Sequence, residues 1–75
     1  MSAFKWVNDN VKIDFPVSKV MQNTMLEAEE ADLAGNHGEY MEISDAIDVL
    51  AKNDYGVGAI TKDMWDKLCE RYPYV

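Results

Sequence analysis

Two short runs near the start of the sequence alternate between apolar and polar residues. Phe4 and Trp6 share one side of an extended backbone, with Lys5 between them. Val11, Ile13 and Phe15 share another, with Lys12 and Asp14 between. A period of two is the pattern of half-buried strands. Asn8-Asp9-Asn10 separates the runs and suits a three-residue turn, because Asn and Asp tolerate left-handed backbone. The pattern predicts a β-hairpin over residues 4–15. A lone hairpin is unstable in water, so it must pack on the helical remainder of the chain.

The period then changes to that of a helix. Val17, Val20, Met21, Thr24, Met25, Ala28 and Ala31 form one stripe and predict a helix over residues 17–34, with Gly35 as its terminating residue. Leu26 and Leu33 lie opposite that stripe, which implies a helix sandwiched between the hairpin and the other helices. The other reading is that these two leucines touch a partner. Tyr40, Ile43, Ile47, Leu50 and Ala51 predict a second helix over 38–53. Tyr55 to Ile60 reads as a short connection, its glycines letting the chain reverse. Thr61 is a natural N-cap for a third helix over 62–72, with Met64, Trp65, Leu68, Cys69 and Tyr72 on one face and an Asp63–Lys67 pair on the other. Pro73 stops it.

These elements predict a single α+β domain over residues 1–75, an N-terminal β-hairpin packed on three α-helices. The alternative is an all-α three-helix bundle with an irregular N-terminal arm. The expected core is Trp6, Ile13, Phe15, Val20, Met21, Ala28, Ile43, Ile47, Leu50, Trp65 and Leu68. With 75 residues, such a domain buries about 60% of its unfolded surface, and its stability is correspondingly modest.

Charge changes this picture most. The net charge is −7. The segment from Glu27 to Asp48 holds Glu27, Glu29, Glu30, Asp32, Glu39, Glu42, Asp45 and Asp48 and no Lys or Arg. Such a balance argues against direct binding to nucleic acid or to an anionic membrane, and favours a basic protein partner. No apolar run approaches the ~20 residues that cross a bilayer. Met1 to Val11 does not resemble a signal peptide, and the single Cys69 fits a reducing compartment. The cytoplasm is the expected location.

Specific chemistry is sparse. Ala28 to Tyr40, with Gly35-Asn36 at its centre, resembles the Gly-Asn turn of tetratricopeptide units and of microtubule-interacting-and-transport domains. That resemblance implies a helical-hairpin turn; the downstream register departs by one position and no function is carried over. As a calcium loop starting at Glu30, the segment offers Ala34 and Met41 where oxygen ligands are required. His37 lacks companions for a transition-metal site, and Cys69 falls on an apolar helix face where thiols are inert. Gly56-Val57-Gly58 lacks the lysine and third glycine of a phosphate loop. No catalytic residue, cofactor or metal is expected.

The acidic segment remains. As a bland surface it would simply solubilise a small domain. As a functional one, its spaced carboxylates imitate the phosphates of a nucleic acid and occupy the basic groove of a nucleic-acid-handling protein. The expected function is a non-enzymatic interaction module, an inhibitor being one form of it, with Glu29, Glu30, Asp32, Glu42, Asp45 and Asp48 as the contact residues. The second reading is a structural or regulatory subunit. It would form a homodimer, or dock a partner helix, through Leu26, Leu33, Met41 and Val49.

Overall fold

The structure is a computed structural model describing residues 3–75; Met1 and Ser2, the start of the stretch that does not resemble a signal peptide, lie outside the described residues. Three helices succeed one another: α1 (Lys19–Leu33), α2 (His37–Gly56) and α3 (Lys62–Arg71). Helix α2 is central, with α1 packed against it on one side and α3 on another, and α1 and α3 have no close backbone contact. Residues 3–17 form an irregular arm.

The expected β-hairpin is therefore corrected: the described residues contain no strand, and the fold is a helical bundle. The reason lies in where the arm's backbone groups find partners. The N–H groups of Lys5, Trp6 and Val7 all donate to the carboxylate of Asp32, at 2.7, 2.9 and 2.7 Å. The Asn8 N–H donates to the Arg71 carbonyl at 2.8 Å, and the Arg71 guanidinium donates to the Val11 carbonyl at 2.8 Å. Val11 N–H turns back onto the Asn8 carbonyl. Groups that a second strand would have paired are thus taken by α1 and α3. An extended arm alternates its side chains much as a strand does, so the pattern that suggested a hairpin survives without one. Phe4, Trp6, Ile13, Phe15 and Val17 still pack against the core, and Val7 is buried in it.

Asp32 is fully buried although its charge suggests a surface residue. Burial alone would raise its pKa, but the three N–H donors and nearby Lys5 outweigh that and hold it below the ordinary value of 3.8. The carboxylate stays ionised and pins the arm to the end of α1.

Local chemistry fixes the helix ends. Ser18 caps α1 by accepting from Met21 N–H, Asn36 caps α2 by accepting from Glu39 N–H, and Thr61 caps α3 by accepting from Met64 N–H. Past α1, Gly35 N–H bonds the Asp32 carbonyl and Asn36 N–H bonds the Ala31 carbonyl, with Gly35 at φ +72°. The same pair of bonds recurs past α2, from Gly58 to Tyr55 and from Ala59 to Asp54, with Gly58 at φ +77°. Both ends are Schellman motifs, which need a left-handed residue where glycine is least strained. Helix α2 consequently runs past residue 53, the end read from the sequence, to Gly56. The second glycine of Gly56-Val57-Gly58 terminates it.

Tyr40, Tyr72, Met21, Ile47 and Leu68 are the largest apolar side chains to be fully enclosed, joined by Val7, Ala28, Ala31, Ala51 and Ile60. Trp6, Ile13, Phe15, Ile43, Leu50 and Trp65 of the expected core pack around it half-buried. Val20 is 60% exposed and is no part of it. The buried tyrosines satisfy their hydroxyls, Tyr40 donating to the Pro73 carbonyl at 2.9 Å and Tyr72 to Glu29 at 2.6 Å. Leu26 and Leu33 are 57% and 58% exposed, so α1 is not sandwiched. Lys67 pairs with Asp14 of the arm rather than with Asp63, and Lys62 pairs with Asp66.

Substitutions at the anchor and at the end of α2 test this geometry. Asp32→Asn leaves the amide cluster short of acceptors and is expected to cost about 2 kcal/mol, lowering the thermal midpoint by about 10 °C. Because the folded pKa lies below the unfolded one, this stabilisation is present above pH 3.8 and is lost as the pH falls through the folded value. The variant should therefore lose less stability than wild type over that acid range; equal midpoints at pH 7 would contradict the anchor. At the end of α2, Gly56→Ala meets open space in a helix and should be neutral or stabilising, whereas Gly58→Ala should cost about 1 kcal/mol in chemical denaturation. The reverse order would misplace the helix end.

Candidate functional site

The acidic segment folds as the C-terminal half of α1, the Gly35 turn and the first part of α2. The structure divides the six carboxylates expected to meet a partner. Asp32 is enclosed and holds the arm, so it cannot contact another molecule in this fold. Glu29 is partly buried, accepts from Tyr72 and lies 3.7 Å from the Arg71 guanidinium. Glu30, Glu42 and Asp45 are exposed, as are their neighbours Glu27 and Glu39. None of these five forms an ion pair among the described residues, although Glu39 accepts from Asn36 Nδ2 at 2.9 Å. Several unpaired carboxylates remain on the α1–α2 hairpin.

Asp48 is exposed but oriented. Its Oδ1 accepts from the Trp65 indole N–H at 2.9 Å and from the Cys69 thiol at 3.3 Å. Trp65 is itself flanked by the Tyr55 ring, 5.4 Å between centroids, and by the Lys62 ammonium, 4.7 Å from its ring. Together these contacts tie α3 to α2 on the acidic side. Beside them lies a half-open cavity of about 330 Å³, bounded by Ser44, Asp45, Ile47 and Asp48 of α2, Cys69 of α3, and Tyr72 and Tyr74 beyond it. Ser44 is buried and donates to the Tyr72 carbonyl at 2.8 Å, which fixes the tail that forms one wall.

The nucleophile candidates are not activated. Burial, then the hydrogen bond and negative charge of Asp48, push the Cys69 thiol up to about 11. It is a protonated donor at neutral pH, the opposite of a reactive thiolate. His37 opens α2, its Nε2 2.7 Å from the Val75 carbonyl oxygen and its ring 4.9 Å from that of Trp6. It serves as a contact between the arm, α2 and the tail. Among the described residues no three His, Cys, Asp or Glu side chains converge as a metal would require. No described helix is long and apolar enough to cross a membrane.

The apolar residues considered for docking are also divided. Leu26, Leu33 and Val49 are exposed, and Met41 packs partly onto the core. Sequence reasoning missed the Asp48–Trp65–Cys69 contact and the cavity, since neither has a sequence motif. Comparison with protein-family models, curated proteins and solved structures found no match.

Cys69 supplies the test of this geometry. Its alkylation by iodoacetamide at pH 8 should be much slower than that of a free cysteine. Asp48→Asn, by removing the charge that holds the proton, should accelerate it, as followed by mass spectrometry. An unchanged rate in the variant would show that Asp48 does not control the thiol.

Proposed function

We propose that this protein is a non-enzymatic interaction module of the cytoplasm that offers exposed carboxylates of the α1–α2 hairpin to a basic surface on a partner protein. The observation carrying this reading is the unneutralised set Glu27, Glu30, Glu39, Glu42 and Asp45, held on two packed helices with no cation paired to them among the described residues. Like charges on one small domain repel, which destabilises the compact state. A partner rich in Lys and Arg relieves that repulsion and is steered toward it over distance. A groove that normally holds nucleic-acid phosphates has the complementary charge, and occupying it would make the module an inhibitor. Asp32 contributes from inside by keeping the arm in place, and Glu29 by holding Tyr72.

A second reading, self-association or helix docking through the outer face of α1, is favoured by the exposure of Leu26 and Leu33 two turns apart. Salt separates the two, because screening weakens charge pairing and leaves apolar contact nearly intact.

The test is capture of partners by wild type and by the double variant Glu30→Lys/Glu42→Lys, each washed at low and moderate salt. The expected result is a basic protein that wild type retains at low salt and releases at moderate salt, and that the variant binds at least about tenfold more weakly. Capture indifferent to both salt and variant, together with a dimer by light scattering, would transfer the assignment to the apolar face.

A further inference from the structure

We infer that the cavity between α2, α3 and the tail receives the guanidinium group of an arginine side chain from the basic partner. The inference rests on the proposed acidic interaction surface and names the chemistry recognised at one place on it. The cavity of about 330 Å³ has room for a side-chain head group and is open on one side, so a chain approaching from outside can insert. Its floor includes the buried Ile47, and its rim carries the exposed ring of Tyr74.

Its polar groups select the charge. Asp45 and Asp48 stand three residues apart on α2, on neighbouring turns, and both line the cavity. Asp48 is held in place because its Oδ1 already accepts from Trp65 and Cys69, while no hydrogen bond engages its Oδ2 among the described residues. Asp45 has no hydrogen-bond or ion-pair partner among the described residues. Two carboxylates are too few for a transition-metal ligand set. They suit a fork of N–H donors that can bridge them, and a planar, weakly hydrated guanidinium also stacks on an aromatic ring such as Tyr74. A lysine ammonium matches the charge but neither the fork nor the ring face. The protonated Cys69 thiol, which donates to Asp48, preserves the negative charge on that carboxylate.

The experiment titrates the whole protein with the blocked tripeptide acetyl-Gly-Arg-Gly-amide and with its lysine and citrulline counterparts. Amide and indole N–H resonances are followed by NMR. The arginine peptide should shift the Trp65 indole signal and the amides of Asp45, Asp48 and Tyr74. The citrulline peptide should leave them unmoved, and the lysine peptide should bind more weakly. Asp45→Asn, an exposed position that should fold normally, should weaken the arginine response about threefold or more. Glu30→Gln/Glu42→Gln should retain the pattern at the cavity. Equal responses to arginine and lysine, or shifts that ignore Asp45→Asn, would overturn the inference. Shifts that track Glu30 and Glu42 instead would overturn it while leaving the wider acidic-surface reading standing. A normal cavity response combined with partner capture indifferent to Glu30, Glu42 and salt would reject the wider reading alone.

Discussion

Three consecutive backbone N–H groups converge on one buried carboxylate, and the side of the molecule that the helices leave open depends on them. The backbones of α1 and α3 do not approach each other closely, although Arg71 of α3 lies 3.7 Å from Glu29 of α1, so much of the covering between them falls to the arm. The arm bridges the two. Asp32 fixes one end of it through Lys5, Trp6 and Val7, and Arg71 and Lys67 fix the other through Asn8, Val11 and Asp14. Between these anchors Trp6 sits against the rings of His37 and Tyr40, and Val7 enters the core. A neutral acceptor at position 32 would make weaker bonds to these donors, and an apolar one would leave them buried without partners. The charge that makes Asp32 resemble a surface residue is what makes it an effective anchor.

The acidic segment consequently has two roles. Asp32 and Glu29 face inward, and their negative charge is matched by backbone donors, a tyrosine hydroxyl and Arg71. Asp48 stands at the boundary, outside the core but fixed by Trp65 and Cys69. The carboxylates of Glu27, Glu30, Glu39, Glu42 and Asp45 face solvent, and it is on these that the proposed partner contact rests. The proposed partner surface is therefore smaller than the charge count suggests, and shifted toward α2. There Asp45 and Asp48 border a cavity shaped by α3 and the tail.

The helices are legible in the sequence because amphipathic stripes are written locally, as is the Thr61 cap of α3; Ser18 and Asn36 likewise accept from the N–H three residues on, although Ser18 falls inside the helix expected from residue 17. The arm is not, because extended backbone carries the same alternation whether or not it pairs with another strand. What decides between them is the fate of its N–H groups, which depends on a residue about 25 positions away in sequence. A trace of that fate is visible. Asp32 comes after Met21, Met25 and Ala28 on the α1 stripe, at the spacing of a core position, where a charge requires a buried partner. Val20 departs from expectation for a related reason, since it lies at the edge of that stripe and nothing in the sequence says how wide the covered face is. The cavity has no sequence signal, because its walls come from two helices and a tail brought together only by tertiary packing.

Amide hydrogen exchange at Lys5, Trp6 and Val7 tests the central claim most directly. If Asp32 anchors the arm as part of the cooperative fold, these three amides should be protected to nearly the same degree as the core amides of α2, and the protection should collapse in Asp32→Asn. Exchange at these amides near the free-peptide rate, with α2 still protected, would mean that the arm is not held by Asp32 and that the helices enclose their core without it.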